Sequence, residues 1–267
     1  MSGNGAVDGQ ATIAALYRYP IKGLSAEKLD RVALTPGACL PHDRRFAIAL
    51  PSTRFDPERP EWLAKTHFVM LMRDEKLALL DTRFDPASGE LRIERGGAPA
   101  LRASLDEPEG RRRIADLVAD LLGPEVARPL RVVEAPGHTF ADARRKPNAT
   151  TGQYVSLINL ASIAALEGAV AAPVAPLRFR ANVYFSGPPA WRELDWIGAE
   201  FALGGARLRA VAPITRCAAT QVNPATAERD LNIPSALQRG FGHNLMGIYA
   251  EVADGGEIAT GDALTVP

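Results

Sequence analysis

The sequence predicts a mixed α/β fold that is mainly antiparallel β, and three observations carry that reading. Twenty-three glycines and twenty-one prolines punctuate 267 residues, which favours many short elements over a few long helices. Short runs of apolar and polar residues recur at regular spacing between turn residues, the pattern of an antiparallel sheet or barrel. Only two segments carry the three-and-four spacing of an amphipathic helix.

Taken in order, the first strand is predicted at residues 13–19, stopped by Pro20, whose ring removes a ladder donor. Residues 29–34 mix Leu29, Val32 and Leu34 with Arg31 and close on the turn pair Pro36-Gly37. Residues 45–50 follow and end at Pro51, and residues 68–72, 77–81 and 90–94 continue the series of short strands. A helix is predicted over residues 112–122, where Ile114, Leu117, Val118, Leu121 and Leu122 share a face, and Gly123-Pro124 ends it. A second helix is predicted over residues 159–170, with Leu160, Ile163, Leu166 and Val170 on one side. Strands resume at 181–185, 200–203, 206–213 and 248–252, and after Gly255-Gly256 at 257–258 and 263–266. The polar stretch 129–148, containing Arg144-Arg145-Lys146-Pro147, is the boundary candidate and divides the chain into domains of 10–130 and 131–267.

Thirty-one basic and thirty-one acidic residues leave no net charge, which argues against a nucleic-acid or membrane-surface partner and points to a small-molecule substrate. Hydrophobic residues at 46% and charged residues at 23% exclude wholesale disorder. Two cysteines, Cys39 and Cys217, are too few for a disulfide scaffold, so a reducing compartment is the default. The residues from Met1 to Asp8 lack a basic start followed by an apolar run, and Glu167, Pro173 and Pro176 interrupt the most apolar later stretch. A cytoplasmic location is the expectation.

Several chemistries are not written here. Gly240-Phe241-Gly242 lacks the third glycine of a dinucleotide fingerprint, and Tyr184-Phe185-Ser186-Gly187 is not a nucleophile elbow. His42, His67, His138 and His243 show no metal-ligand spacing, and pyridoxal phosphate binding is not expected.

What remains is Thr215-Arg216-Cys217, at the end of a predicted strand and before Val222-Asn223-Pro224. An arginine beside a cysteine favours the thiolate, the form that binds soft metals; the competing reading is a buried cysteine acting as a small hydrophobe, and that reading is kept for Cys39. Three cationic segments accompany it. Lys22 follows the first strand in Tyr19-Pro20-Ile21-Lys22-Gly23, and His42-Asp43-Arg44-Arg45-Phe46 opens another strand. Arg178 and Arg180 alternate in Leu177-Arg178-Phe179-Arg180-Ala181-Asn182, which predicts that both point to one side of a single strand. Each segment alone reads as solvated surface or ion pair; together they make an anion pocket beside a soft ligand.

In these residues the chain resembles the molybdenum-cofactor sulfurase C-terminal (MOSC) domain proteins that carry an N-terminal MOSC β-barrel domain, and among them the amidoxime-reducing component family. The motifs are residues 19–23, 43–46, 178–182 and 215–217 with Val222-Asn223-Pro224 after them, then Gly247-Ile248-Tyr249-Ala250-Glu251-Val252 and Gly261-Asp262. They run from about Ala11 to the C-terminus. The resemblance implies a β-barrel-like MOSC domain behind an N-terminal β-barrel with few helices. It implies that Cys217 is the catalytic residue and the ligand of molybdenum in a molybdenum cofactor. It assigns cofactor contacts to Lys22, Arg44, Thr151, Arg180, Asn182, Thr215 and Arg216.

The implied activity is reduction of N-hydroxylated compounds such as amidoximes, hydroxylamines and N-hydroxylated bases. Electrons would come from a separate ferredoxin, flavoprotein or cytochrome-type protein. The alternative is a cofactor carrier or sulfur carrier without turnover. Three departures stand out: Gly23 replaces the family's usual serine, Ala181 its proline, and residues 223–228 form a differently composed loop after the cysteine.

Overall fold

The computed structural model describes residues 11–143 and 153–266, so Thr151 and the end of the 129–148 stretch lie outside the described residues. The strands, in chain order, are β1 (Ala11–Arg18), β2 (Glu27–Leu29), β3 (Arg31–Leu34), β4 (Phe46–Ala49), β5 (Leu80–Asp85), β6 (Glu90–Arg95), β7 (Ala98–Ser104) and β8 (Arg131–Glu134). They continue with β9 (Val155–Asn159), β10 (Val183–Ser186), β11 (Glu200–Leu203), β12 (Ala206–Thr215), β13 (Leu245–Asp254), β14 (Gly256–Ala259) and β15 (Ala263–Thr265). Three α-helices accompany them among the described residues: α1 (Pro108–Leu122), α2 (Leu160–Val170) and α3 (Ile233–Phe241).

Seven strands close into a barrel in the order β1-β10-β9-β13-β12-β11-β15, with β15 returning to β1. Every pair in it is antiparallel except β9–β10, which α2 joins as a crossover. Register decides what fills the interior. Leu16 stands opposite Val183, Phe201 opposite Leu208 and Ile248 opposite Leu157, and all six are buried in one core. Closure removes the free edges that an open sheet would present. The first stave, β1, comes from the N-terminal end of the chain, although its neighbours come from residues 155–265; β3 likewise pairs with β14.

The second core belongs to the intervening segment. The meander β5-β6-β7 alternates buried and exposed residues, as in Leu80, Thr82 and Phe84, and packs with α1 through Ile114, Ala115 and Val118. The pair β4–β8 completes it with Phe46, Ile48 and Val132. Helix α1 starts at Pro108, whose missing donor is harmless in the first turn, and ends at Gly123 with φ 86°. Helix α2 is capped by Asn159, whose Oδ1 accepts from the Ala161 amide at 3.0 Å. No helix among the described residues is long and apolar enough to cross a membrane.

Several expectations change. Residues 68–72 are not a strand: Phe68 makes one bridge to Ala49 and the chain turns. Residues 75–79 form a 3-10 turn, and the strand expected at 77–81 begins only at Leu80. The 29–34 segment splits at Asp30 into β2 and β3, which join different partners. Arg178 and Arg180 do not share a strand; Pro176 opens a 3-10 turn over Pro176–Phe179, and Arg180 caps it in the left-handed region at φ 54°.

Candidate functional site

A cavity of about 590 Å³ opens where the two cores meet. Lys22, Arg44, Arg180, Asn182, Thr215, Arg216 and Cys217 all line it, drawn from four separated segments of chain.

The wall is built around Tyr19, at the end of β1. Its amide donates to Asp43 Oδ1 at 2.8 Å, and its carbonyl accepts from the Arg44 amide at 2.7 Å. The Arg44 and Arg180 guanidinium carbons stand 4.5 and 4.4 Å from the Tyr19 ring centroid. Arg44 donates from Nη1 to Asp43 Oδ2 at 2.5 Å and from Nη2 to the Arg180 carbonyl at 2.7 Å. Arg180 in turn donates from Nη1 to the Leu24 carbonyl at 2.7 Å. Arg44 (φ 48°) and Arg180 (φ 54°) both hold left-handed backbone, a cost that residues other than glycine bear at constrained, often functional positions.

Burial separates these two cations. Burial opposes the charge on Arg44, but the adjacent Asp43 carboxylate outweighs it and holds its pKa above the usual value. Arg180 has no such partner among the described residues, and burial pushes its pKa down to about 10.

Lys22 enters from the same side. Its amide donates to the Phe46 carbonyl at 2.8 Å, and Nζ donates to the Phe140 carbonyl at 2.8 Å and to the Asp142 carboxylate. Burial lowers its pKa, Asp142 opposing that effect. Gly23 adopts φ +88°, with Leu77 Cδ1 3.4 Å from where a Cβ would lie, so the departure from serine fits the backbone present.

The opposite wall comes from β12, whose register against β13 shifts between Pro213 and Thr215. Thr215 is exposed at its end. Arg216 turns back into the protein: Nη1 donates to the Phe179 carbonyl at 2.9 Å, and Nε to that of Met246, also at 2.9 Å. Burial lowers its pKa, the phenols of Tyr249 and Tyr184 and the Cys217 thiol opposing. Gly247 follows Met246 at φ +76°, and a Cβ there would lie 2.3 Å from the Leu157 carbonyl, which accounts for the glycine that opens the 247–252 motif.

Cys217 is a free, partly exposed thiol on the cavity wall. Cys39 is also free, but it lies outside the cavity; burial, with Asp43 nearby, pushes its thiol up to about 12. That leaves Cys217 as the thiol available to a ligand. Asn182 is buried, and its amide is fully engaged. Oδ1 accepts from the Ser156 amide at 3.1 Å and hydroxyl at 2.8 Å, while Nδ2 donates to the Tyr17 carbonyl at 3.2 Å. It ties β1 to β9 behind the wall.

The cavity also holds residues to which the motifs assigned no role. Lys65, Asp142, Ser156 and Tyr249 line it, brought from a 3-10 turn, a loop and two barrel strands. Arg178 lines it too, but its Nη2 forks onto Asp230 at 2.6 and 2.7 Å. Arg45, grouped with Arg44 in the sequence, turns away to Glu134 at 2.5 Å. Pairing Arg44 with Asp43, Lys22 with Asp142 and Arg178 with Asp230 leaves Lys65, Arg180 and Arg216 without a carboxylate among the described residues, the last two being guanidiniums.

The comparisons agree with this architecture. The MOSC N-terminal beta barrel domain matches residues 10–123, and the MOSC domain matches residues 138–265. The chain is a MOSC domain protein. MOSC domains are associated with proteins that bind the molybdenum cofactor. No curated protein matches this MOSC protein in sequence. Among solved structures it is similar to the YUAD protein from Bacillus subtilis, with 15% identity and a TM-score of 0.44 over 96% of this chain and 94% of that one. It is also similar to YiiM from Geobacillus stearothermophilus, with 19% identity and a TM-score of 0.34 over 42% of this chain and 53% of that one.

The residues present in this MOSC protein suit such a cofactor. A pterin bearing a phosphate and a soft metal asks for buried donors with fixed geometry and one thiolate. The cavity supplies two half-buried guanidiniums without a carboxylate partner among the described residues, a thiol, and a volume within the usual range for ligand sites.

Proposed function

We propose that this MOSC protein binds the molybdenum cofactor with Cys217 as the metal's protein ligand and reduces N-hydroxylated compounds. One observation carries the reading. A partly exposed thiol shares a cavity with two half-buried guanidiniums, Arg180 and Arg216, that lack a carboxylate partner among the described residues. Cations drawn partly out of water without counter-charge are costly unless a ligand supplies the anion.

When bound, the cofactor would supply two-electron redox chemistry suited to deoxygenating an N-hydroxylated substrate. The protein's part is ligation, orientation and electrostatics. Lys22, Arg44, Arg180 and Arg216 hold the cofactor's anionic end, and the Tyr19 ring fixes the spacing of two of them. Thr215 offers an exposed hydroxyl at the rim. Asn182 acts from behind the wall. Burial keeps the Tyr249 phenol protonated at the cavity. Overall, the substrate N–O bond breaks, two electrons and two protons are consumed, and water leaves with the deoxygenated product.

The electrons would come from a ferredoxin, flavoprotein or cytochrome-type partner, since the two cysteines among these 267 residues fall short of the four thiolates an iron–sulfur cluster takes. The test is expression in a cofactor-replete host, followed by molybdenum analysis, pterin fluorescence and reduction of an amidoxime with an artificial donor. Molybdenum with pterin and turnover supports the reading. Bound cofactor that transfers to an apo-enzyme without turnover supports the carrier reading instead, and absence of both metal and pterin overturns both.

A further inference from the structure

We propose that Arg178, through Asp230, is the positioning residue that fixes Cys217 on the cavity wall. The proposal rests on the reading of Cys217 as metal ligand, and it concerns a residue that the motif pairs with Arg180 as though both met an anion.

The two arginines leave one 3-10 turn in different directions. Arg180 faces the Tyr19 ring, whereas the Arg178 side chain is 1% exposed and runs under the loop that follows the cysteine. That loop starts with Cys217, whose carbonyl accepts from the Thr220 amide at 3.1 Å and hydroxyl at 2.9 Å. Arg178 Nη1 donates to the Gln221 carbonyl at 3.0 Å and to that of Thr220 at 3.4 Å, while Nη2 forks onto the Asp230 carboxylate. A planar fork is the group suited to grip two carbonyls and a carboxylate together.

Asp230 closes the far end. It accepts from Asn223 Nδ2 at 2.8 Å, and the Asn223 amide donates to the Glu228 carbonyl at 2.8 Å. Arg229 fastens the outside of the same loop to the other half of the chain, donating to the Met72 carbonyl at 2.8 Å and to Glu75 at 3.0 Å. One residue, Thr220, therefore separates the Cys217 carbonyl from the Arg178 guanidinium. Arg178 Nε is buried with no hydrogen-bond partner, so one donor is forgone to hold the fork at this angle.

The test uses cofactor-free full-length protein and iodoacetamide, with alkylation at Cys217 and Cys39 followed separately by mass spectrometry across pH. Asp230 is the practical handle because its side chain is 36% exposed and tolerates substitution better than buried Arg178. In Asp230→Asn the Cys217 rate is expected to rise at least fivefold with its pH profile displaced, while Cys39 stays within twofold; Asp230→Glu restores the parent rate. Arg178→Met, where it folds, gives the same selective rise. A Cys217 rate within twofold of the parent in Asp230→Asn, or an equal rise at both cysteines, overturns the proposal. The readout does not require molybdenum, so a protein that shows the selective rise but takes up no cofactor keeps the clamp and loses the proposed function.

Discussion

Arg44 donates a hydrogen bond of 2.7 Å to the main-chain carbonyl of Arg180, across 136 residues of sequence. Arg44, already paired with Asp43, thereby also fixes the backbone of a second half-buried cation that has no carboxylate of its own among the described residues. The contact exists because Arg180 holds left-handed backbone, which turns its carbonyl toward Arg44.

Tyr19 stands between the two guanidiniums, and its ring is expected to matter more than its hydroxyl. Tyr19→Phe keeps the π face and should bind inorganic phosphate within about twofold of the parent. Tyr19→Leu removes two cation–π contacts worth about 1 kcal/mol each, and phosphate binding should weaken at least tenfold. Isothermal titration of cofactor-free protein checks it; equal weakening in both variants would place the effect in the hydroxyl.

Counter-charge is missing at Arg180, so its removal should help the empty protein and harm ligand binding. Arg180→Gln is expected to raise the melting temperature in phosphate-free buffer by roughly 2–4 °C, the response to about 1 kcal/mol at this chain length. Added phosphate, which should stabilise the parent by mass action, should no longer do so. Differential scanning calorimetry with and without phosphate decides it. A lower melting temperature in Arg180→Gln would show the charge to be satisfied already.

Glu193 is a buried carboxyl bonded by the Ser162 hydroxyl at 2.9 and 3.1 Å, and burial raises its pKa. A raised folded-state pKa means the native state binds the proton more tightly than the unfolded chain does. The contribution to stability is then complete below the ordinary carboxylate pKa and is lost as pH rises through the raised one. Glu193→Gln should flatten the stability–pH curve across that window in urea titrations. An unchanged slope would contradict the assignment.

Gly23 takes φ +88°, where an L side chain is strained. Restoring the family's serine by Gly23→Ser is expected to cost about 1 kcal/mol of stability, read as a lower urea midpoint with unchanged slope. A neutral substitution would mean that this backbone relaxes readily.

The barrel was legible wherever short alternating runs ended in proline or glycine, as at residues 13–19 and 206–213. Residues 233–241 were assigned no element, although α3 forms there with Pro234 in its first turn, where a proline starts a helix well. Periodicity misled at 178–180, where alternation matched a strand and the preceding Pro176 set a 3-10 turn instead. For the site, residues inside contiguous motifs were visible: Lys22, Arg44, Arg180 and Cys217 share one cavity. Lys65 and Tyr249 were not assigned a role, because only the closing of the barrel against the second core brings them there. Nor did residue type say that Asn182 is consumed by β1 and β9, or that Asp230 answers Arg178.

The central claim is that chemistry depends on Cys217. It is tested most directly by turnover of an amidoxime per bound molybdenum, with an artificial electron donor, in the parent, Cys39→Ser and Cys217→Ala proteins. Parent and Cys39→Ser are expected to turn over alike, and Cys217→Ala to fall at least a hundredfold per molybdenum. Full turnover per molybdenum in Cys217→Ala would contradict it.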